Sequence, residues 1–320
     1  MALVQGSERI IAAEQADPSN GTVRWSPIKS IWIASMSLTA LLLGPLYFTW
    51  QSCALFLLLC VITLCAGHSV GMHRRLIHNS FECPLWLEYI LVELGTLVGM
   101  AGPIGMIRQH DLRDWAQRQT LCHDYLCHRR NFLLDGWWQL HCELHLSTPP
   151  SFKLEPRIRR DWVYRWMERT WMWQQLPIAV VLYLLGGVGF VIWGVCARVA
   201  VCVTGHWLIG YFAHRKGPRT WHVDGAGVQG FDVPLAGLIS MGESWHNNHH
   251  AYPGSARIGL TPEQPDPGWW LIKCLESLGL VWNIRTPETM PVRSELRRIG
   301  NGDSGCRFCR WVRNRVLVHT

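Results

Sequence analysis

The stretch SCALFLLLCVITLCAGHSVGM, residues 52–72, carries no charged side chain and is about as long as a bilayer crossing requires. The six residues that follow are HRRLIH, from His73 to His78. An apolar run that turns abruptly basic and histidine-rich reads as a membrane helix reaching water. That reading sets the frame for the rest of the chain.

Composition agrees with it. Hydrophobic residues make up 49% of the 320, charged residues only 17%, and there are 19 Trp. Mean hydropathy is positive at +0.07. Tryptophan collects where membrane meets water, because its ring is apolar and its N–H needs a partner. The formal charge of +7 fits a basic cytoplasmic face. No nucleic-acid motif accompanies it, so nucleic-acid binding is set aside. Cys53, Cys60, Cys65, Cys196 and Cys202 lie in apolar runs and are expected as reduced thiols acting as small hydrophobes. Cys306 and Cys309 form a single C-x-x-C, which without a second pair reads as part of a basic tail.

Upstream, residues 30–50, SIWIASMSLTALLLGPLYFTW, are a second span joined to the first by almost no loop. The pair predicts a helical hairpin that delivers His68, His73 and His78 to the side where the chain began. Residues 1–29 are a polar N-terminal segment, expected to be mobile and too long for the lead of a signal peptide. Downstream, residues 85–107 are apolar but contain Glu88 and Glu93, and predict a re-entrant or interfacial helix. Residues 108–172 interleave His, Arg and Trp and predict a solvent-side helical block. Residues 175–192 and 194–213 predict two more spans, turning near Gly186, Gly187 and Gly189. Arg198 in the last span is expected to face a partner inside the protein.

The fold class expected is therefore all-α: a polytopic membrane protein of about four transmembrane helices with a cytoplasmic helical cap. One domain covers 30–290, and 291–320 is a basic C-terminal tail. Both termini fall on one side. The short loops there hold Arg74, Arg75, Arg129, Arg130, Arg215 and Lys216, so the positive-inside rule makes that side cytoplasmic.

Nearly all of the 15 His fall on that side or at the membrane ends facing it. On an ideal α-helix His73 and His78 lie about 140° apart, placed to flank a metal or to serve two. His206 and His214 in HWLIGYFAH share nearly one face. In GESWHNNHH, Gly242 to His250, His246 precedes His249 and His250 by three and four residues, so all three can share one helical face. Imidazole suits Fe, Zn, Cu and Ni. Three imidazoles on one turn cannot encircle a metal, so partners from elsewhere are required. His222 and His319 read as surface or packing residues, and His141 and His145 as interfacial ones.

A span ending in GMHRRLIH, a soluble block, two spans ending in FAHRKG, and then GESWHNNHHAYP resemble the membrane fatty acid desaturase family, in its acyl-CoA and acyl-lipid branch. The resemblance runs from about residue 42 to 280. It implies a histidine-rich di-iron site, O2 as co-substrate and an acyl chain as substrate, carried on CoA, a carrier protein or a lipid. It also implies a separate ferredoxin- or cytochrome b5-type electron donor, since this sequence has no haem motif and no iron–sulfur cysteine spacing. The family's H-x4-H and third H-x2-HH boxes are matched in full. Seven of its metal positions are filled, by His73, His78, His110, His214, His246, His249 and His250.

The second box departs from the pattern. It reads HDLRD, with Arg113 and Asp114 where two histidines are expected, and Gly210 stands where the family has an Asn. Two readings follow. In the first, which we favour, Asp114 replaces a histidine as a carboxylate ligand and Asp111, His68 or His206 completes the shell. In the second, one metal site is impaired. Hydroxylation on the same scaffold is an alternative activity. A transporter is disfavoured, because its ligands would sit at the bilayer midplane rather than at helix ends.

Overall fold

The computed structural model describes residues 9–299, and Cys306 and Cys309 lie outside them. The chain is mostly helical. Helix α1, Pro27–Leu43, starts at a proline and ends before Gly44. Helix α2, Trp50–Ile77, is 28 residues long and opens with a capping box in which Thr49 and Ser52 exchange hydrogen bonds. Helices α3, Leu85–Thr96, and α4, Pro103–Arg118, follow. The helical run Gln175–Ala213, here α5, is broken at Gly186 and at Gly187, whose φ of 68° suits only glycine comfortably. There the chain folds back, so that Arg198 Nη2 donates to Gln175 Oε1 at 2.5 Å.

Two helices, Trp50–Ile77 and Gln175–Ala213, are long and apolar enough to cross a membrane; Pro27–Leu43 is apolar but shorter. The four separate spans expected from the sequence are thus not resolved as four long helices. The first expected span ends early at Gly44, and the last two form one helical run kinked at its glycines. Leu41, Leu42, Leu57, Leu58, Leu184 and Leu185 are exposed along these helices. Trp50 is 78% exposed at one end, and Trp25, Trp162 and Trp173 are exposed elsewhere around the helices.

The lower half of α2 decides where the site lies. Residues Ile62–Ile77 are wound as a π-helix, with His78 N donating to His73 O. The i→i+5 winding brings residues five apart onto one face. His68, His73 and His78 therefore stack along one face rather than lying about 140° apart as α geometry requires. A different face, carrying Gly67 and Gly71, is pressed against α3. A Cβ on Gly67 would meet Leu94 C at 2.3 Å, and one on Gly71 would meet Leu91 O at 2.3 Å. Only glycine permits that approach.

Helix α3 has 12 residues, too few to span. Its Glu88 is buried but paired with Arg75 Nη2 at 2.5 Å and Arg157 Nη1 at 2.8 Å. Arg198, also buried, bonds Gly194 O at 2.8 Å, Gln175 Oε1 and Leu97 O, so the expected internal partner is present.

The N-terminal segment, expected to be mobile, is partly paired. Strand β1, Ile10–Ile11, pairs with β4, Ser151–Phe152, and β2, Asp17–Trp25, with β3, Cys142–Thr148; all are antiparallel. Arg9 is buried and bonds Ile77 O at 3.0 Å and Asp111 Oδ2 at 3.1 Å. Strand β5, Trp221–Val223, pairs with β6, Leu296–Arg298. The described cysteines are free thiols.

Candidate metal centre

The π-wound end of α2, the middle of α4, the end of α5 and the short helix α6, His246–Ala251, converge at one point. Ring nitrogens of His73, His78, His110 and His249 all lie within 4.8 Å of one another, and so do those of His214, His246 and His250. In the first group His78 Nε2 is 3.2 Å from His73 Nε2 and 3.3 Å from His110 Nε2. In the second, His246 Nε2 is 3.1 Å from both His214 Nε2 and His250 Nε2. His246 and His249, one from each group, have ring centroids 5.4 Å apart.

The two asparagines explain why HNNHH points its histidines this way. Asn247 Oδ1 accepts from Thr220 N at 2.7 Å and Trp221 N at 2.8 Å, and its Nδ2 donates to Trp221 O and Gly230 O, each at 2.9 Å. Asn248 Nδ2 donates to Ile258 O and Gln264 Oε1, each at 2.9 Å. With the amides committed to loops on one side, the imidazoles face the other. Burial first, then neighbouring imidazoles, holds His246, His249 and His250 well below the usual histidine pKa. Neutral rings keep a lone pair for a cation.

The chain was compared with known proteins. It is 34% identical over 248 residues to the sn-2 palmitoyl-lipid 9-desaturase of Nostoc sp., which covers 75% of this chain and 83% of that protein. The chain belongs to the fatty acid desaturase family. It is 32% identical over 275 residues to Delta-9 acyl-lipid desaturase 2 of Arabidopsis thaliana, covering 82% and 85%. It is 29% identical over 258 residues to the acyl-CoA C20 Delta5-desaturase of Anemone leveillei, covering 79% and 80%. No family model matches it. As a fatty acid desaturase it is an oxidoreductase of lipid metabolism, and its two histidine groups are consistent with metal binding.

In this desaturase the remaining candidates stand outside both groups. Asp111 is buried, with its carboxylate turned to Arg9 and to His110 Nδ1 at 3.5 Å. Asp114 Oδ1 lies 4.0 Å from His110 Nε2, and the residue lines a small cleft with Arg118, His249, His250 and Pro253. His68 stacks parallel to His73, with centroids 6.4 Å apart. His206 meets His68 edge-on at 4.9 Å. These two rings continue the row of α2 away from the converging nitrogens.

Sequence reading missed the residues that hold the histidines in place. Glu243 Oε2 lies 2.6 Å from His73 Nδ1, and Glu243 Oε1 accepts from Ser69 Oγ at 2.6 Å. The Glu243 carboxyl is held below its ordinary pKa: although burial opposes it, His73 and Arg74 outweigh burial. Arg74, fully buried, donates to Ala256 O and Asp266 Oδ1, each at 2.7 Å, and so fastens α2 to the segment that follows the third box. The Gly–Glu pair preceding HNNHH was the available signal for Glu243; Arg74 was read only as a basic loop charge.

The donor set fits a pair of cations. A metal bound by imidazole at about 2.0–2.1 Å would separate its ligand nitrogens by about 3.0–3.4 Å; four of the pairs lie at 3.1–3.3 Å, and within each group all lie within 4.8 Å. A neutral imidazole has one N–H. Where Nδ1 faces a carboxylate or carbonyl, as in His73, His110 and His214, the Nε2 atoms turn bare lone pairs toward one another. Such an array is repulsive without a cation between its members.

Proposed function

We propose that this desaturase inserts a double bond into a fatty acyl chain using O2, two iron ions and electrons from a separate protein. The observation that carries the reading is the pair of imidazole groups at the ends of long apolar helices. His73, His78, His110 and His249 would hold one iron. His214, His246 and His250 would hold the other, with Asp114 as the added carboxylate. Iron with O2 supplies the oxidant that side-chain acid–base chemistry lacks when a C–H bond of an unactivated methylene must break.

The chain's own residues do the rest. Glu243 Oε2 faces His73 Nδ1 at 2.6 Å and Asp111 Oδ1 lies 3.5 Å from His110 Nδ1; each carboxylate would orient its ring and raise its basicity as a ligand. The Gly210 carbonyl does the same for His214 Nδ1 at 2.7 Å. Apolar walls of α2 and α5 would receive the acyl chain and exclude water. In the balanced reaction two adjacent methylenes each lose a hydrogen. O2 takes up those two hydrogens, two further protons and two electrons, leaving as two waters. The electrons come from a docked ferredoxin- or cytochrome b5-type donor, drawn by a basic face. We place four membrane spans in the domain 30–290, with the histidines and both termini cytoplasmic. Among carriers, an acyl-lipid is the first substrate to test, followed by acyl-CoA.

Purified protein is expected to hold about two iron atoms per chain, and its product to have lost two hydrogens on mass analysis. One zinc and no iron would overturn the di-iron reading. A product that has gained an oxygen atom would assign hydroxylation instead.

A further inference from the structure

Beside the second histidine group runs a row of buried and half-buried side chains, all but Arg113 outside the histidine boxes. His128 is 1% exposed and adopts a positive φ of 52°. Its Nδ1 lies 2.9 Å from Asp135 Oδ1, which also accepts from Trp207 Nε1 at 2.8 Å. On the opposite edge, Arg113 Nη1 lies 3.2 Å from His128 Nε2, while Arg113 Nη2 donates to Gln139 Oε1 at 3.0 Å. A carboxylate on one side and a guanidinium on the other admit one arrangement: Nδ1–H donates to Asp135, and Nε2 accepts from Arg113.

The His128 ring then lies nearly flat on His214, with centroids 5.5 Å apart and planes 15° from parallel. The residue after His214 completes the grip. Arg215 Nη1 donates to His128 O at 2.9 Å and to Arg130 O at 2.7 Å. Gly210 leaves the space. A Cβ there would stand 3.2 Å from His128 Nε2 and 3.7 Å from Arg113 Nη1. Two departures from the desaturase pattern, Arg113 and Gly210, thus meet at one ring.

We propose that Arg113, His128 and Gly210 form a substitute support for the second metal group. His128 is a positioning residue whose ring keeps His214 Nε2 turned toward His246 and His250. Arg113 fixes the His128 ring in place through Nε2, and Gly210 supplies the room. The inference rests on the reading of His214, His246 and His250 as metal ligands. Arg113 on this account is a working part of the site rather than a lost ligand, which explains why a cationic side chain is tolerated there: it faces a ring lone pair and an amide oxygen, not the metal.

The test measures iron per chain and the Mössbauer spectrum of the purified holo-protein, with helicity checked by circular dichroism. Wild type is expected to carry about two irons. His128→Leu is expected to lose the iron of the second group and keep the other, at unchanged helicity. His128→Gln, whose amide can both donate to Asp135 and accept from Arg113, should restore part of it. Gly210→Ala, which presses a methyl on the ring while leaving residue 128 a histidine, should mimic His128→Leu, and it decides the matter if His128→Leu fails to fold. His145→Ala, on the exposed side of β3, should match wild type. Full iron and an unaltered spectrum in both His128→Leu and Gly210→Ala would overturn the proposal. A wild-type protein without iron, or His214→Ala with both irons intact, would instead sink the metal reading on which it rests.

Discussion

At the scale of single residues the chemistry turns on carboxylates as much as on histidines. Asp114 stands where a histidine is expected, at the mouth of a cleft shared with His249 and His250. Its Oδ1 lies 4.0 Å from His110 Nε2, and the cleft it shares includes His250 of the second group. Asp114→Asn removes the charge and keeps the shape. We expect it to weaken iron in the second group while sparing the first, read as iron per chain; two tightly held irons in Asp114→Asn would show that Asp114 is no ligand. Glu243 acts differently, through His73 Nδ1. Glu243→Gln should lower metal affinity by about 10–100-fold, measured by competition with a chelator, with little loss of fold.

At the scale of elements, the spacing of five residues in His68, His73 and His78 is informative only once the winding is known. Read as an α-helix it separates His73 from His78. Read as a π-helix it stacks them, and their Nε2 atoms come within 3.2 Å. Propensity does not announce a π-helix, because its cost is offset by packing and ligation elsewhere. The packing partner here is α3, reached across Gly67 and Gly71. Gly71→Ala would drive a methyl into the Leu91 backbone and should cost about 1–3 kcal/mol, visible as a lower melting temperature together with loss of iron. The helix of HNNHH shows the complementary case. Its histidines were legible because imidazole is an unusual residue to cluster at a helix end. The task of its asparagines was not, since their partners, Thr220, Trp221, Gly230, Ile258 and Gln264, lie in loops whose positions no local pattern reveals.

At the scale of the whole molecule, buried charges hold the apolar helices in one arrangement. Arg74 ties α2 to Asp266, 192 residues away. Arg74→Met leaves Asp266 buried without its partner and should destabilise the fold by about 3–5 kcal/mol, read in thermal unfolding in detergent. Arg198 closes the kinked hairpin of α5 against Gln175 and the end of α3. The exposed leucines and tryptophans along these helices are consistent with a membrane association. Tags at the two termini should both be cut by protease from the cytoplasmic side of sealed vesicles, as the positive-inside rule requires; cleavage of one alone would refute an even number of spans.

The amino-acid sequence by itself determined the membrane-like composition, the helical class, the family and the seven histidines. Each follows from residue type, or from spacing along one segment, both of which survive without knowledge of the fold. Only the tertiary structure decided how those seven divide into a group of four and a group of three. It also revealed that the lower half of α2 is π-wound, that Arg9 is buried and Arg113 half-buried, both bonded, and that Glu243 and His128 stand behind the histidines. Many of these depend on contacts between distant segments, such as Ser69 and Glu243, 174 residues apart. Such contacts arise from the packing of apolar faces and the satisfaction of buried polar groups, and neither leaves a periodic trace in the chain.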